Sequence, residues 1–109
     1  QQVGCDNDRE LVEMVLPNTP KPFPHNNLAE CRASFENEGF TVEMADEAFN
    51  PIIFRDMGAF VWFARIIEWE FPDFSVDKCF DRLLEMQKTL EKVGQIAGTT
   101  HRFLLVVRK

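Results

Sequence analysis

The run FTVEMADEAF, Phe40 to Phe49, decides how this chain folds. Phe40, Val42 and Met44 alternate there with Thr41, Glu43 and Ala45, a period of two that predicts a strand with one wet face. Just before it, NNLAECRASFENEGF (Asn26 to Phe40) carries Leu28, Cys31 and Phe35 at steps of three and four. That spacing predicts a helix, capped by Asn26 or Asn27 and ended at Gly39. A change of period from helix to strand places the chain in the α/β class.

Working outward, NPIIF continues the extended region through Pro51 to Ile52, Ile53 and Phe54 as a short second piece. Asp56 stands where a helix cap belongs, and a helix is expected over Met57 to Trp69 before FPDFS breaks it. Ser75 then caps the longest expected helix, in which Val76, Cys79, Phe80, Leu83, Leu84, Gln87 and Leu90 recur at steps of three and four until Gly94. The charges on its other side read as a solvated face. QIAGTT reads as a loop, and HRFLLVVRK (His101 to Lys109) as a closing strand. Within it Leu104 to Val107 is a continuous apolar run, as in a strand buried on both faces.

Upstream, CDNDRELVEMVLP offers Asp6 or Asn7 as the cap of a short helix with Leu11, Val12, Met14 and Val15 on one face. PNTPKPFPH has four prolines in nine residues and is expected to be an extended connector. The organisation is therefore helices and a proline-rich connector over 1–39, a strand region over 40–54, a helical insertion over 55–94 and a last strand over 101–109.

Composition excludes several function classes. The 109 residues are one domain or a piece of one, 45% hydrophobic and 28% charged, which is globular rather than disordered. A net charge of -6 leaves no cationic footprint for a phosphate backbone, so nucleic acid is not an expected partner. Cys5, Cys31 and Cys79 are odd in number and far apart, which favours free thiols in a reducing, cytoplasmic setting over a disulfide framework. Cys31 and Cys79 lie at apolar helical positions and read as packing residues. The chain opens on Gln1-Gln2, with neither a signal peptide nor a methionine, which suggests a start cut from a longer protein.

GAFVWFARIIEWEFPDF (Gly58 to Phe74) concentrates Trp62, Trp69, Phe60, Phe63, Phe71 and Phe74. It does not read as a membrane span. About 20 apolar residues are needed for one, and the run that starts at Met57 stops at Arg65, followed by Glu68, Glu70 and Pro72. On a helix, Phe60, Phe63 and Ile67 share one face while Trp62, Ile66 and Trp69 share another. Either both stripes are core, or one packs on the body and the other is a lid or substrate surface.

The ordered set QQVG with NDREL, then FRDMGAFVWF and IEWEFPDFSVD, then HRFLLVVRK resembles the carboxyl-terminal part of a class I S-adenosylmethionine-dependent methyltransferase, of the small-molecule branch called methyltransferase type 11. The resemblance covers nearly the whole chain. It implies a Rossmann-like sheet of which the chain supplies the last strands: Phe40 to Phe49 as the sixth, and Arg102 to Val107 as the seventh, antiparallel between fifth and sixth. Gln1 to Gly4 would be the tail of the fifth, and the helices between Asp56 and Val93 an inserted cap over the acceptor site. The expected fold is thus a small antiparallel strand pair with about four helices.

The same resemblance implies a substrate-side piece that is inactive alone. The family's glycine-rich cofactor loop has no counterpart among the dispersed Gly4, Gly39, Gly58, Gly94 and Gly98, so no cofactor-binding residue is expected here. Phe60, Trp62, Phe63, Ile66 and Trp69 are the candidate substrate-binding residues, because aromatic walls exclude water and attract a sulfonium cation. His101 is a candidate general base, set against a structural role as a hydrogen-bonding residue at the start of a strand. His25 is a weaker one. Spacing alone yields no metal-ligand set. Two other readings stay open: a non-enzymatic module that binds a small apolar ligand, and an interaction domain that uses the aromatic helix. A last strand without its fifth-strand neighbour would expose an edge and favour self-association.

Overall fold

The computed structural model describes residues 1–109. The elements are β1 (Gln2–Val3), α1 (Arg9–Val15), α2 (Leu28–Asn37), β2 (Thr41–Phe54), α3 (Met57–Ile66), α4 (Phe80–Val93) and β3 (Ile96–Arg108). The fold is α/β, with four helices and a sheet in the order β1-β3-β2. β1 runs antiparallel to β3, with Gln2 opposite Phe103 and Val3 opposite Arg102. Three side-chain contacts, Glu43 to Arg108, Glu47 to His101 and Thr100 to the Asn50 carbonyl, link rising numbers on β2 to falling numbers on β3, so this pair is antiparallel as well. The expected strand pair is therefore a three-stranded sheet, because Gln2 and Val3 add a short strand along Arg102 and Phe103.

The chain divides into two compact units. The first comprises residues 1–7, 21–50 and 100–109, and the second residues 8–20 and 51–99. β2 leaves the first unit after Asn50, and β3 returns to it at Thr100.

In the second unit the core is built from three helices. α1 contributes Leu11, Val12 and Val15, α3 contributes Phe60 and Ala64, and α4 contributes Leu83 and Met86, with Phe71 and Cys79 from the connecting chain and Ile96 from the start of β3. α4 packs against both α1 and α3. Its buried stripe, Cys79, Leu83, Met86 and then half-buried Leu90, is narrower than the expected face: Val76, Phe80 and Leu84 are exposed. The helix starts at Phe80 rather than at Val76, because Ser75 caps a separate turn, accepting from the Lys78 and Cys79 amides. Gly94 ends it at φ 91°, a left-handed conformation that costs glycine nothing. α1 is capped in position by Asp8, not Asp6 or Asn7, and without a side-chain cap bond.

β2 fills the expected strand region as one continuous strand, whereas β3 begins five residues before its expected start at His101. Pro51 does not interrupt β2, which is an edge strand, the place in a sheet where proline is tolerated. QIAGTT is not a loop but the start of β3. Ile96 is buried, and Gly98 sits so close to α1 that a Cβ there would lie 2.8 Å from Leu11 Cγ. Glycine marks a close approach here, not a turn.

The first unit is thinly covered. α2, capped by Asn27 Oδ1 accepting from the Glu30 amide, buries no residue fully, and Phe35 on its expected apolar face is exposed. On β2 the expected alternation slips, with Val42 and Ala45 half-buried and Met44 exposed. The run Leu104–Val107 is not buried on both faces: Val106 is exposed and its neighbours are half-buried.

Candidate functional site

Two arrangements, one in each unit, concentrate chemistry. In the second unit, α3 begins where Asp56 Oδ1 accepts from the Ala59 amide at 2.8 Å, and its apolar residues then divide by helical phase. Phe60 is fully buried, its ring edge-on to Phe54 at 5.5 Å and to Phe71 at 5.9 Å, and Phe63 and Ile67 pack beside it. On the other side Trp62 is 69% exposed, Ile66 58% and Trp69 47%. Of the five candidate substrate-binding residues, Phe60 and Phe63 are thus core, while Trp62, Ile66 and Trp69 are each exposed at the surface. The helix stops at Ile66, three residues before the expected end, and the Ile67 carbonyl accepts from the Glu70 and Phe71 amides as the chain turns. A cleft of about 440 Å³ opens there between Arg65, Glu68 and Phe74.

In the first unit the focal residue is His101, only 1% exposed. Its Nδ1 accepts from the Asp6 amide at 3.1 Å, and its Nε2 lies 2.7 Å from Glu47 Oε2. An amide can only donate, so Nδ1 carries a lone pair and the proton sits on Nε2, donated to Glu47. The backbone is held as firmly. His101 N–H donates to Asn7 Oδ1 at 2.7 Å, its carbonyl accepts from Gly4 N–H at 2.8 Å, and Arg102 also donates to Asn7 Oδ1. Gly4 lies so close to the imidazole that a Cβ would fall 2.2 Å from Nδ1. Both ring nitrogens are engaged, which favours the structural reading of this residue over that of a base facing an open site. A small pocket of about 210 Å³ lies alongside, lined in part by Glu47, Arg102 and Phe103.

His25 is exposed, and its Nδ1 meets Glu30 at 2.9 Å near the start of α2. Hydrogen bonds from His25 and then from Asn27 hold the Glu30 carboxyl below its usual range.

Sequence spacing offered no metal-ligand set, yet the fold brings donor atoms of Cys5, Asp6 and His101 within 4.8 Å of one another. Asp6 and His101 are separated by 95 positions, so no local motif could reveal this. The residues present do not fit S-adenosylmethionine. Gly4 is taken up against His101 and Gly98 against Leu11, Gly39 and Gly94 follow helices, and Gly58 lies in the first turn of α3, so no glycine-rich cradle exists among them.

No helix is long and apolar enough to cross a membrane. No family model, curated protein sequence or solved structure matches the chain.

Proposed function

We propose that this chain is the substrate-side, carboxyl-terminal portion of an S-adenosylmethionine-dependent methyltransferase acting on a small molecule, inactive without the cofactor-binding part. The observation that carries the reading is the strand order: the last strand, β3, lies between β1 and β2 and runs antiparallel to both. A reversed final strand between two earlier ones, with a helical segment inserted before it, is the arrangement that the resemblance implies. The thin cover of the first unit also favours missing neighbours. Met44, Phe49 and Val106 are exposed on a three-stranded sheet that has one helix in its own unit.

In this reading the chain's own residues bind and shield the acceptor, and no step of methyl transfer runs through them. Trp62, Ile66 and Trp69 are the apolar wall, offering rings that exclude water. Their exposure also favours a second reading, an interaction module that uses the same residues.

Calorimetric titration with S-adenosylmethionine separates these readings. Heat of binding is expected for the longer protein that includes this sequence and not for the 109-residue chain. Binding by the chain itself would relocate the cofactor site. Binding by neither would overturn the methyltransferase reading in favour of an interaction module.

A further inference from the structure

We infer that Cys5, Asp6 and His101 form a site for a thiophilic divalent cation of the zinc type, with Glu47 as the carboxylate that orients the histidine. The thiol sulfur, a carboxylate oxygen and an imidazole nitrogen lie within 4.8 Å of one another. Around a four-coordinate zinc ion, with Zn–S about 2.3 Å and Zn–N or Zn–O about 2.0 Å, donor atoms stand roughly 3.3–3.7 Å apart. The widest separation therefore needs to close by roughly 1 to 1.5 Å. Cys5 and Asp6 can supply that movement, since Cys5 is half-buried and the Asp6 side chain is 46% exposed.

The histidine is what distinguishes this trio from a chance grouping. Metal-binding imidazoles characteristically donate their other N–H to a carboxylate, which fixes the tautomer and raises the basicity of the ligating nitrogen. His101 has that arrangement: Nε2 on Glu47 at 2.7 Å, with the Nδ1 lone pair facing the Asp6 amide. The ring is held against Gly4 on the glycine's bare Cα and stacked on Phe49, so its orientation is set before any ion arrives. A thiolate, an imidazole and a carboxylate suit zinc or cobalt better than magnesium or calcium, which prefer oxygen alone. Three protein ligands leave a fourth position for water or a ligand.

Contacts at Asp6 must yield. The Asp6 amide occupies Nδ1 with a 3.1 Å bond, and Lys21 pairs with the Asp6 carboxylate. Lys21 is exposed and Asp6 half-buried, so the ammonium and the amide can be hydrated once the Asp6 backbone swings aside and the cation takes their places. Binding releases the Cys5 thiol proton to solvent, so affinity rises with pH.

The test is cobalt(II) titrated into the reduced 109-residue chain, followed by absorbance. One equivalent is expected to bind, with a thiolate-to-cobalt charge-transfer band and the visible bands of a four-coordinate ion, and zinc should displace it. Cys5→Ser should abolish the charge-transfer band, while Cys31→Ser and Cys79→Ser leave it intact. Glu47→Gln should weaken binding by about 10-fold or more, the range for loss of an orienting carboxylate. A parallel measurement needs no variant: zinc should slow alkylation of Cys5, mapped by mass spectrometry, without slowing that of Cys31. Absence of the band, its survival in Cys5→Ser, or equal alkylation of Cys5 with and without zinc would each overturn the site.

Discussion

Phe49 lies flat against the imidazole of His101, with ring centroids 4.3 Å apart and planes inclined by 17°. Phe49 itself is 54% exposed, so this stack shields a histidine from solvent without being shielded in turn. Together with Gly4, Asn7 and Glu47 it makes His101 the hub of the first unit, where no large apolar core exists to do that work.

The hub depends on the absence of a side chain at Gly4. Gly4→Ala would place a methyl 2.2 Å from His101 Nδ1, against backbone and ring that are both hydrogen-bonded. Overpacking of this kind costs about 3 kcal/mol. Urea denaturation should show that loss, and a variant as stable as the parent would mean that the ring is free to move aside.

The two stripes of α3 should respond very differently to truncation. Phe60→Ala removes a fully buried ring that contacts Phe54 and Phe71, at a cost of about 4 kcal/mol. Trp62, at 69% exposure, should tolerate alanine within about 0.5 kcal/mol. Comparable losses at both positions would show that Trp62 is packed in solution.

Acid should destabilise the second unit in part through Glu10. Burial pushes this carboxyl up, but hydrogen bonds from the Thr99 hydroxyl at 2.5 Å, from its own backbone and from the Thr99 amide outweigh it, and the pKa lies below the usual 4.5. A depressed folded pKa means that the unfolded chain takes up the proton first. The stability from Glu10 is therefore complete above about 4.5 and is lost as pH falls through the lower folded value. Thr99→Val should flatten this acid limb when denaturation midpoints are compared between pH 6 and pH 3, conditions chosen to span roughly the glutamate range. Parallel curves for the two proteins would remove Glu10 from the account.

Self-association is expected through the last strand. β1 is only two residues long and pairs with Arg102 and Phe103, so β3 runs on through Leu104–Val107 past the end of its neighbour. An apolar strand edge of that kind templates pairing with another chain. Sedimentation velocity should show a dimer or larger species at high concentration, and a strict monomer throughout would dispose of this expectation.

Periodicity and punctuation in the sequence determined where most elements lie. Asn27 and Asp56 cap helices because a short polar side chain there meets an orphan amide, a local interaction that needs nothing beyond three residues of chain. The division of α3 into two stripes likewise follows from 3.6 residues per turn. Which stripe turned inward was a tertiary matter, settled by Phe54 and Phe71 meeting Phe60. The same holds for the start of the last strand: Gly98 reads as part of a loop until β3 is seen beside Leu11. The grouping of Cys5, Asp6 and His101 was furthest from view, because antiparallel pairing of the two ends of the chain joins positions 95 apart in sequence. Local spacing carries local energetics, whereas a site assembled from both termini exists only once the strands have paired.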